Sequence, residues 1–106
     1  MSKAVAVGEK HLILGFKGVG FDIVPVDDSE KLMHELNTLS RDPETGLVLV
    51  TESMAKDAPE ALKEFRERCR AVLTIIPTHE GGKHVSFQEM RRSVERSLGI
   101  DLLGKD

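Results

Sequence analysis

Leu47-Val48-Leu49-Val50 is apolar without a break. A strand with one wet face alternates apolar and polar residues, so an unbroken run signals cover on both faces and a central parallel strand. Three other stretches have strand character: Ala4 to Val7, Phe21-Asp22-Ile23-Val24-Pro25-Val26, and Val72-Leu73-Thr74-Ile75-Ile76. The segments between them carry the helical period instead. Leu12, Ile13, Phe16 and Val19 share a face from 10 to 19, and Leu32, Met33, Leu36 and Leu39 share one from 29 to 40. Asp27, Asp28 and Ser29 are candidate N-caps for the second helix. Asp57-Ala58-Pro59-Glu60 opens a third, with Asp57 at the N-cap, proline in the first turn, and Ala61, Leu62, Phe65 and Cys69 on the buried side.

Strands and helices alternate with short connections, which implies right-handed crossovers and a parallel sheet. Pro25 lacks an N–H and belongs at a sheet edge, which selects the strand order 2-1-3-4. The expected fold is therefore α/β: a four-stranded parallel sheet sandwiched by helices, Rossmann- or receiver-like, plus a C-terminal helix. Gly15 and Gly18 weaken the first helix by up to ~1 kcal/mol each relative to alanine, so a close-packed neighbour is expected there. Gly20 suits its C-cap.

The last helix has a start, a face and a stop. Ser86 and Glu89 have capping-box spacing. Phe87, Met90, Val94 and Leu98 fall on one side, and Gly99 stands where a left-handed C-cap belongs. The helix is predicted over 87–98. Four strands and three helices precede it, enough for a sandwich. The expected organisation is an α/β domain over 1–77, a polar linker over 78–85, and a C-terminal helix and tail over 86–106.

The chain of 106 residues is one domain's worth, with 40% apolar and 31% charged residues and a net charge of -3. Well-mixed charge of this sign, with four Phe and no Trp or Tyr, argues against a nucleic-acid surface. Cys69 is the only cysteine, so no internal disulfide forms and a reducing, cytoplasmic compartment is expected. No apolar run approaches the ~20 residues that span a bilayer, so no direct membrane insertion is expected.

Sites for chemistry are sparse. In an open parallel sheet ligands bind beyond the carboxyl ends of the strands. Those ends carry Glu9, Asp27-Asp28, Thr51-Glu52-Ser53 and Thr78-His79. Glu52 is the carboxylate to watch, but no nucleophile–base pair accompanies it. Cys69 sits near a helix C-terminus, where no dipole activates a thiolate. Gly15-Phe16-Lys17-Gly18-Val19-Gly20 falls inside and after a helix, not between strand and helix as a dinucleotide fingerprint requires. His79 and His84 are five apart across two glycines, so they cannot share a helical face as a zinc-protease pair does. His11 and His34 are isolated. The reading is of no enzyme, no catalytic residue, no metal and no cofactor.

Two motifs carry a resemblance. Leu14-Gly15-Phe16-Lys17-Gly18-Val19-Gly20, and the close Met90-Arg91-Arg92-Ser93-Val94-Glu95-Arg96-Ser97-Leu98-Gly99-Ile100-Asp101-Leu102, resemble the F subunit of V-type (A-/V-type) ATPases and ATP synthases. The Ile75-Ile76-Pro77 strand end fits as well, and the likeness runs in order along nearly the whole chain. It implies a non-catalytic subunit of the rotating central stalk, cytoplasmic and peripheral to the membrane. It implies binding to the coiled-coil D subunit, contact with the subunit linking the stalk to the membrane ring, and a part in coupling ATP turnover to rotation and ion transport. Phe87, Met90, Arg91, Arg92, Val94, Glu95 and Leu98 are the expected partner-binding residues: an apolar stripe for a helical groove, flanked by positive charge. The other option is that the same stripe folds back on the domain's own sheet. The rival function is a stand-alone receiver- or flavodoxin-like regulatory domain with Glu9 and Glu52 in an ion or phosphate site. A sugar-transport phosphocarrier is disfavoured by the lack of Cys or His at the end of the first strand.

Overall fold

The computed structural model describes residues 3–99. The element order is β1 (Lys3–Gly8), α1 (Lys10–Lys17), β2 (Asp22–Pro25), α2 (Ser29–Ser40), β3 (Thr45–Thr51), α3 (Glu52–Ala55), α4 (Pro59–Arg68), β4 (Val72–Ile76), β5 (His79–Glu80), β6 (Lys83–His84) and α5 (Phe87–Leu98). The four long strands form one parallel sheet in the order β2-β1-β3-β4, as the sequence predicts. Pro25 lies on the edge strand β2. On the other edge, the Arg66 guanidinium of α4 donates to the Leu73 carbonyl of β4 at 3.2 Å.

Unbroken apolar runs give each central strand two greasy faces. Val5, Val7, Val48 and Val50 point to one side, where Leu32, Leu36, Leu39, Leu62 and Phe65 of α2 and α4 cover them. Ala6 and Leu49 point to the other side, with Ile76, and meet Ile13 and Phe16 of α1 and Met90 and Val94 of α5. The last helix thus completes the second face of the core. Its two central apolar residues are each 1% exposed.

Chain direction explains this arrangement. A right-handed crossover from β1 to β2 puts α1 on one face; the return past β1 to β3, and on to β4, puts α2 and α4 on the other. One helix cannot cover four strands, so half of the α1 face stays bare until α5 fills it.

Local differences from the sequence expectations have physical causes. Helix α1 stops at Lys17 with Gly18 as its C-cap, before Gly20, whose φ of +95° belongs to the turn into β2. Residues 52–55, between the third strand and the helix opening at Asp57-Ala58-Pro59-Glu60, form a further short helix, α3. Ala58, not Asp57, is the N-cap of α4, and Cys69 is its extended, half-buried C-cap and not part of its buried side. Asp28 is the N-cap of α2, accepting from the Lys31 N–H at 2.7 Å. Residues 78–85, expected as a polar linker, fold as the antiparallel β5–β6 hairpin. Its turn residues Gly81 and Gly82 have φ of +59° and +83°, the paired left-handed geometry that joins two strands tightly. Helix α5 matches its predicted bounds, with both hydrogen bonds of the capping box formed and Gly99 left-handed at φ +66°.

Candidate functional site

The carboxyl ends of the strands, where an open α/β sheet takes its ligand, are tied together here by side chains. The order reverses between β1 and β3, and Glu9 follows β1 at that point. Its two carboxylate oxygens accept from Thr51 Oγ1 at 2.7 Å and from Ser53 Oγ at 2.5 Å. Partial burial disfavours the charged form, but the Ser53 and Thr51 hydroxyls outweigh it. Together they hold the Glu9 carboxyl below its ordinary range. Gly8 makes the approach possible, because a side chain there would collide with Thr51.

The stitching continues to β4. The Ser53 N–H donates to Thr78 Oγ1 at 3.1 Å, and Thr78 is fully buried. Glu52 Oε1 accepts from the backbone N–H groups of Thr78 and His79, both at 3.4 Å. The loops after β1, β3 and β4 are thereby one network. Glu9 and Glu52, the two acids of the receiver-like alternative, are both engaged in holding backbone and hydroxyl groups. No three His, Cys, Asp or Glu side chains gather to hold a metal ion among the described residues. An open cleft of about 430 Å³ remains at the β1–β2 end, lined by residues including Glu9, His11, Pro25 and Lys31.

This network aims the chain into the hairpin. Val85, buried beside the sheet, donates its N–H to the Thr78 carbonyl at 3.0 Å. Ser86 then starts α5 directly. The seat for α5 is Gly15: a Cβ there would lie 2.7–2.9 Å from three atoms of the Phe87 ring. The expected close neighbour is therefore present at Gly15, where it is Phe87, whose ring also meets Phe16 edge-on at a centroid distance of 4.9 Å; at Gly18 a Cβ would meet only the Gly15 carbonyl oxygen, at 3.5 Å.

The seven expected partner-binding residues split by face. Met90 and Val94 are buried on the sheet, and Phe87 and Leu98 pack against the same cluster. Arg91 and Glu95 form an i,i+4 ion pair at 3.9 Å and are largely covered, while Arg92 is exposed. The stripe read from sequence as a docking surface is occupied at home in this structure. Ile100-Asp101-Leu102 of the closing motif lies outside the described residues.

Cys69 remains half-buried beside the α2–α4 cluster, and His11 and His34 are exposed and apart. His79 and His84, five residues apart in sequence, come together across the hairpin. The Glu9–Thr51–Ser53–Thr78 network was not legible from the sequence. Its hydroxyls lie at strand ends far from Glu9 in sequence, on Thr51 of β3, Ser53 of α3 and Thr78 after β4, with no spacing signature, and only the fold joins them.

Comparison with known proteins agrees with this architecture. The sequence profile of the family described as ATP synthase (F/14-kDa) subunit matches residues 4–94, from the first strand into the last helix. The F subunit of the V-type ATP synthase of Fusobacterium nucleatum is 25% identical, covering 97% of this chain and 97% of its own. That of Clostridium perfringens is 28% identical, covering 95% of each. The F subunit of the A-type ATP synthase of Thermococcus kodakarensis is 26% identical over 94% of this chain and 97% of its own. A sheet in the order 2-1-3-4, a strand-end network turned to holding loops, and a profile match through both packed faces lead to one assignment: the chain belongs to the ATP synthase (F/14-kDa) subunit family.

Proposed function

We propose that this chain is a non-catalytic subunit of the central stalk of a V-type ATPase or ATP synthase. It binds the coiled-coil D subunit through α5 and helps couple ATP turnover to rotation and ion transport. It sits on the cytoplasmic side, peripheral to the membrane, with a second contact to the subunit joining the stalk to the membrane ring. The observation that carries the reading is the full-length likeness to proteins named as F subunits of ATP synthases, in a chain whose strand-end carboxylates are occupied with structural hydrogen bonds. No described helix is long and apolar enough to cross a membrane.

The buried stripe sets the energetics of docking. Met90 and Val94 are each worth about 1.5–3 kcal/mol of burial, with smaller shares from Phe87 and Leu98. Peeling α5 from the sheet thus costs on the order of 5 kcal/mol. Balancing such an equilibrium takes a partner that binds the released helix about 5×10³-fold more tightly than the docked one, and populating the released helix at about 99% takes roughly a hundredfold more. A long coiled coil can supply this, because its groove offers the same stripe an apolar seat, while Arg91, Arg92 and Arg96 add charge complementarity toward an acidic helix.

The test is co-expression with the coiled-coil D subunit. The full chain should capture it, and a chain ending at Lys83, shown by circular dichroism to keep its sheet, should not. Equal capture by both would reject α5 as the main contact.

A further inference from the structure

His79 and His84 are directly opposed on β5 and β6. The adjacent pair, Thr78 and Val85, is hydrogen-bonded, with the Val85 N–H donating to the Thr78 carbonyl at 3.0 Å. Antiparallel pairs alternate, so His79 and His84 form a non-hydrogen-bonded pair, the type that brings side chains closest. Thr78 and Val85 point inward and are buried, so the histidines point to solvent, and both are exposed. Their ring centroids are 4.5 Å apart, with the planes tilted by 45°.

That spacing has a chemical meaning. With a metal–nitrogen bond of about 2.1 Å and a ring radius of about 1.1 Å, each imidazole centroid lies about 3.2 Å from a shared ion. Two rings at right angles around the ion would have centroids about 4.5 Å apart; at the tetrahedral angle the separation would be about 5.2 Å. The observed 4.5 Å is short enough for one ion to be shared by both rings. Imidazole ligands suit Cu²⁺, Ni²⁺ and Zn²⁺, with Cu²⁺ bound most tightly.

We propose that His79 and His84 form a two-imidazole chelate for a divalent transition cation, Cu²⁺ bound most tightly, with water in the remaining positions. The tight Gly81-Gly82 turn fixes one side of the pair, and the Thr78–Val85 hydrogen bond fixes the other. Glu52, whose carboxylate holds the His79 N–H, anchors the strand that carries the first ligand. An ion here bridges β5 to β6 and clamps the segment joining the sheet to α5. The site is independent of the stalk assignment and uses none of the residues proposed to meet the coiled-coil partner.

The experiment is titration of the full chain with CuCl₂, read by electron paramagnetic resonance. The expected result is one ion per chain coupled to two imidazole nitrogens. His79→Ala and His84→Ala should each lose one nitrogen coupling, while His11→Ala and His34→Ala should leave the spectrum unchanged. All four positions are exposed, so the variants should fold, as circular dichroism can check. In parallel, NiCl₂ should raise the melting temperature of the full chain but not of His84→Ala. A one-nitrogen spectrum in the unaltered chain, or a two-nitrogen spectrum surviving in His84→Ala, would overturn the chelate. An unchanged melting temperature of the full chain in NiCl₂ would overturn the clamp.

Discussion

Gly15→Ala tests how α5 is held. By helix propensity alone the change should help: an interior glycine costs up to ~1 kcal/mol relative to alanine. The structure predicts the opposite sign. The new methyl would stand 2.7 Å from Phe87 Cδ1, 2.8 Å from Cε1 and 2.9 Å from Cγ. Cγ is the root of the ring, so no rotation about its own axis relieves the contact. The ring is also held edge-on by Phe16, and the whole of α5 must move away. Overpacking of this kind costs about 1–3 kcal/mol, and subtracting the propensity gain leaves about 1 kcal/mol of net destabilisation. It should appear as easier opening of α5, because Phe87 is on that helix. Amide hydrogen exchange should show protection from Met90 to Leu98 falling about thirtyfold, the full overpacking of about 2 kcal/mol, because α1 keeps its propensity gain when α5 opens, while amides of β3 that exchange by global unfolding lose only about fivefold. Global unfolding in urea should shift less than the α5 protection does. A variant more stable than the parent, with α5 protection unchanged, would show that the ring is not lodged on Gly15.

Two further outcomes follow from the core and the strand-end network. Met90→Ala should cost about 2–5 kcal/mol in urea unfolding, the range for truncating a fully buried methionine; a loss below ~0.5 kcal/mol would mean that α5 does not rest on the sheet. Glu9→Gln should destabilise the protein at neutral pH and make little difference in acid. Its folded pKa lies below the unfolded value, so its stabilisation is complete above the ordinary carboxylate range, ~4, and is lost as pH falls through the folded pKa. Urea midpoints of the two proteins that stay equally far apart from pH 7 to pH 3 would contradict this.

Much of the fold is written locally. The unbroken run at Leu47–Val50 marks a strand covered twice, and Pro25 alone places β2 at an edge. Ser86, Glu89 and Gly99 delimit α5 to the residue, because caps are made by side chains within three positions of the end they serve. The home of α5 was also available in principle. Once the order 2-1-3-4 is accepted, crossover handedness leaves one face with a single helix, so a fifth element has to cover it. Counting three helices as a complete sandwich overlooks which side each one is on. The hairpin was hidden for a different reason. His, Glu and Lys around two glycines lack the β-branched residues by which strands announce themselves, and the turn geometry alone makes the ladder. The strand-end network was invisible because its hydroxyls reach Glu9 from 42 and 44 residues away. The sequence marked Glu9 and Glu52 as candidates, but only the fold shows that they hold the chain to itself.

The two sheet margins also bear on the life of the chain before assembly. A row of unpaired backbone amides and carbonyls invites another strand to add on, and through that addition a fibre to grow. At β2 the proline withholds a donor, and at β4 Arg66 occupies the Leu73 carbonyl while placing a positive charge at the rim. Neither flank offers a clean template, although Val72 and Ile75 on β4 are exposed. A chain built this way resists edge-to-edge addition of further strands at both margins. Arg66→Ala removes that guard, leaving apolar Val72 and Ile75 beside an open carbonyl.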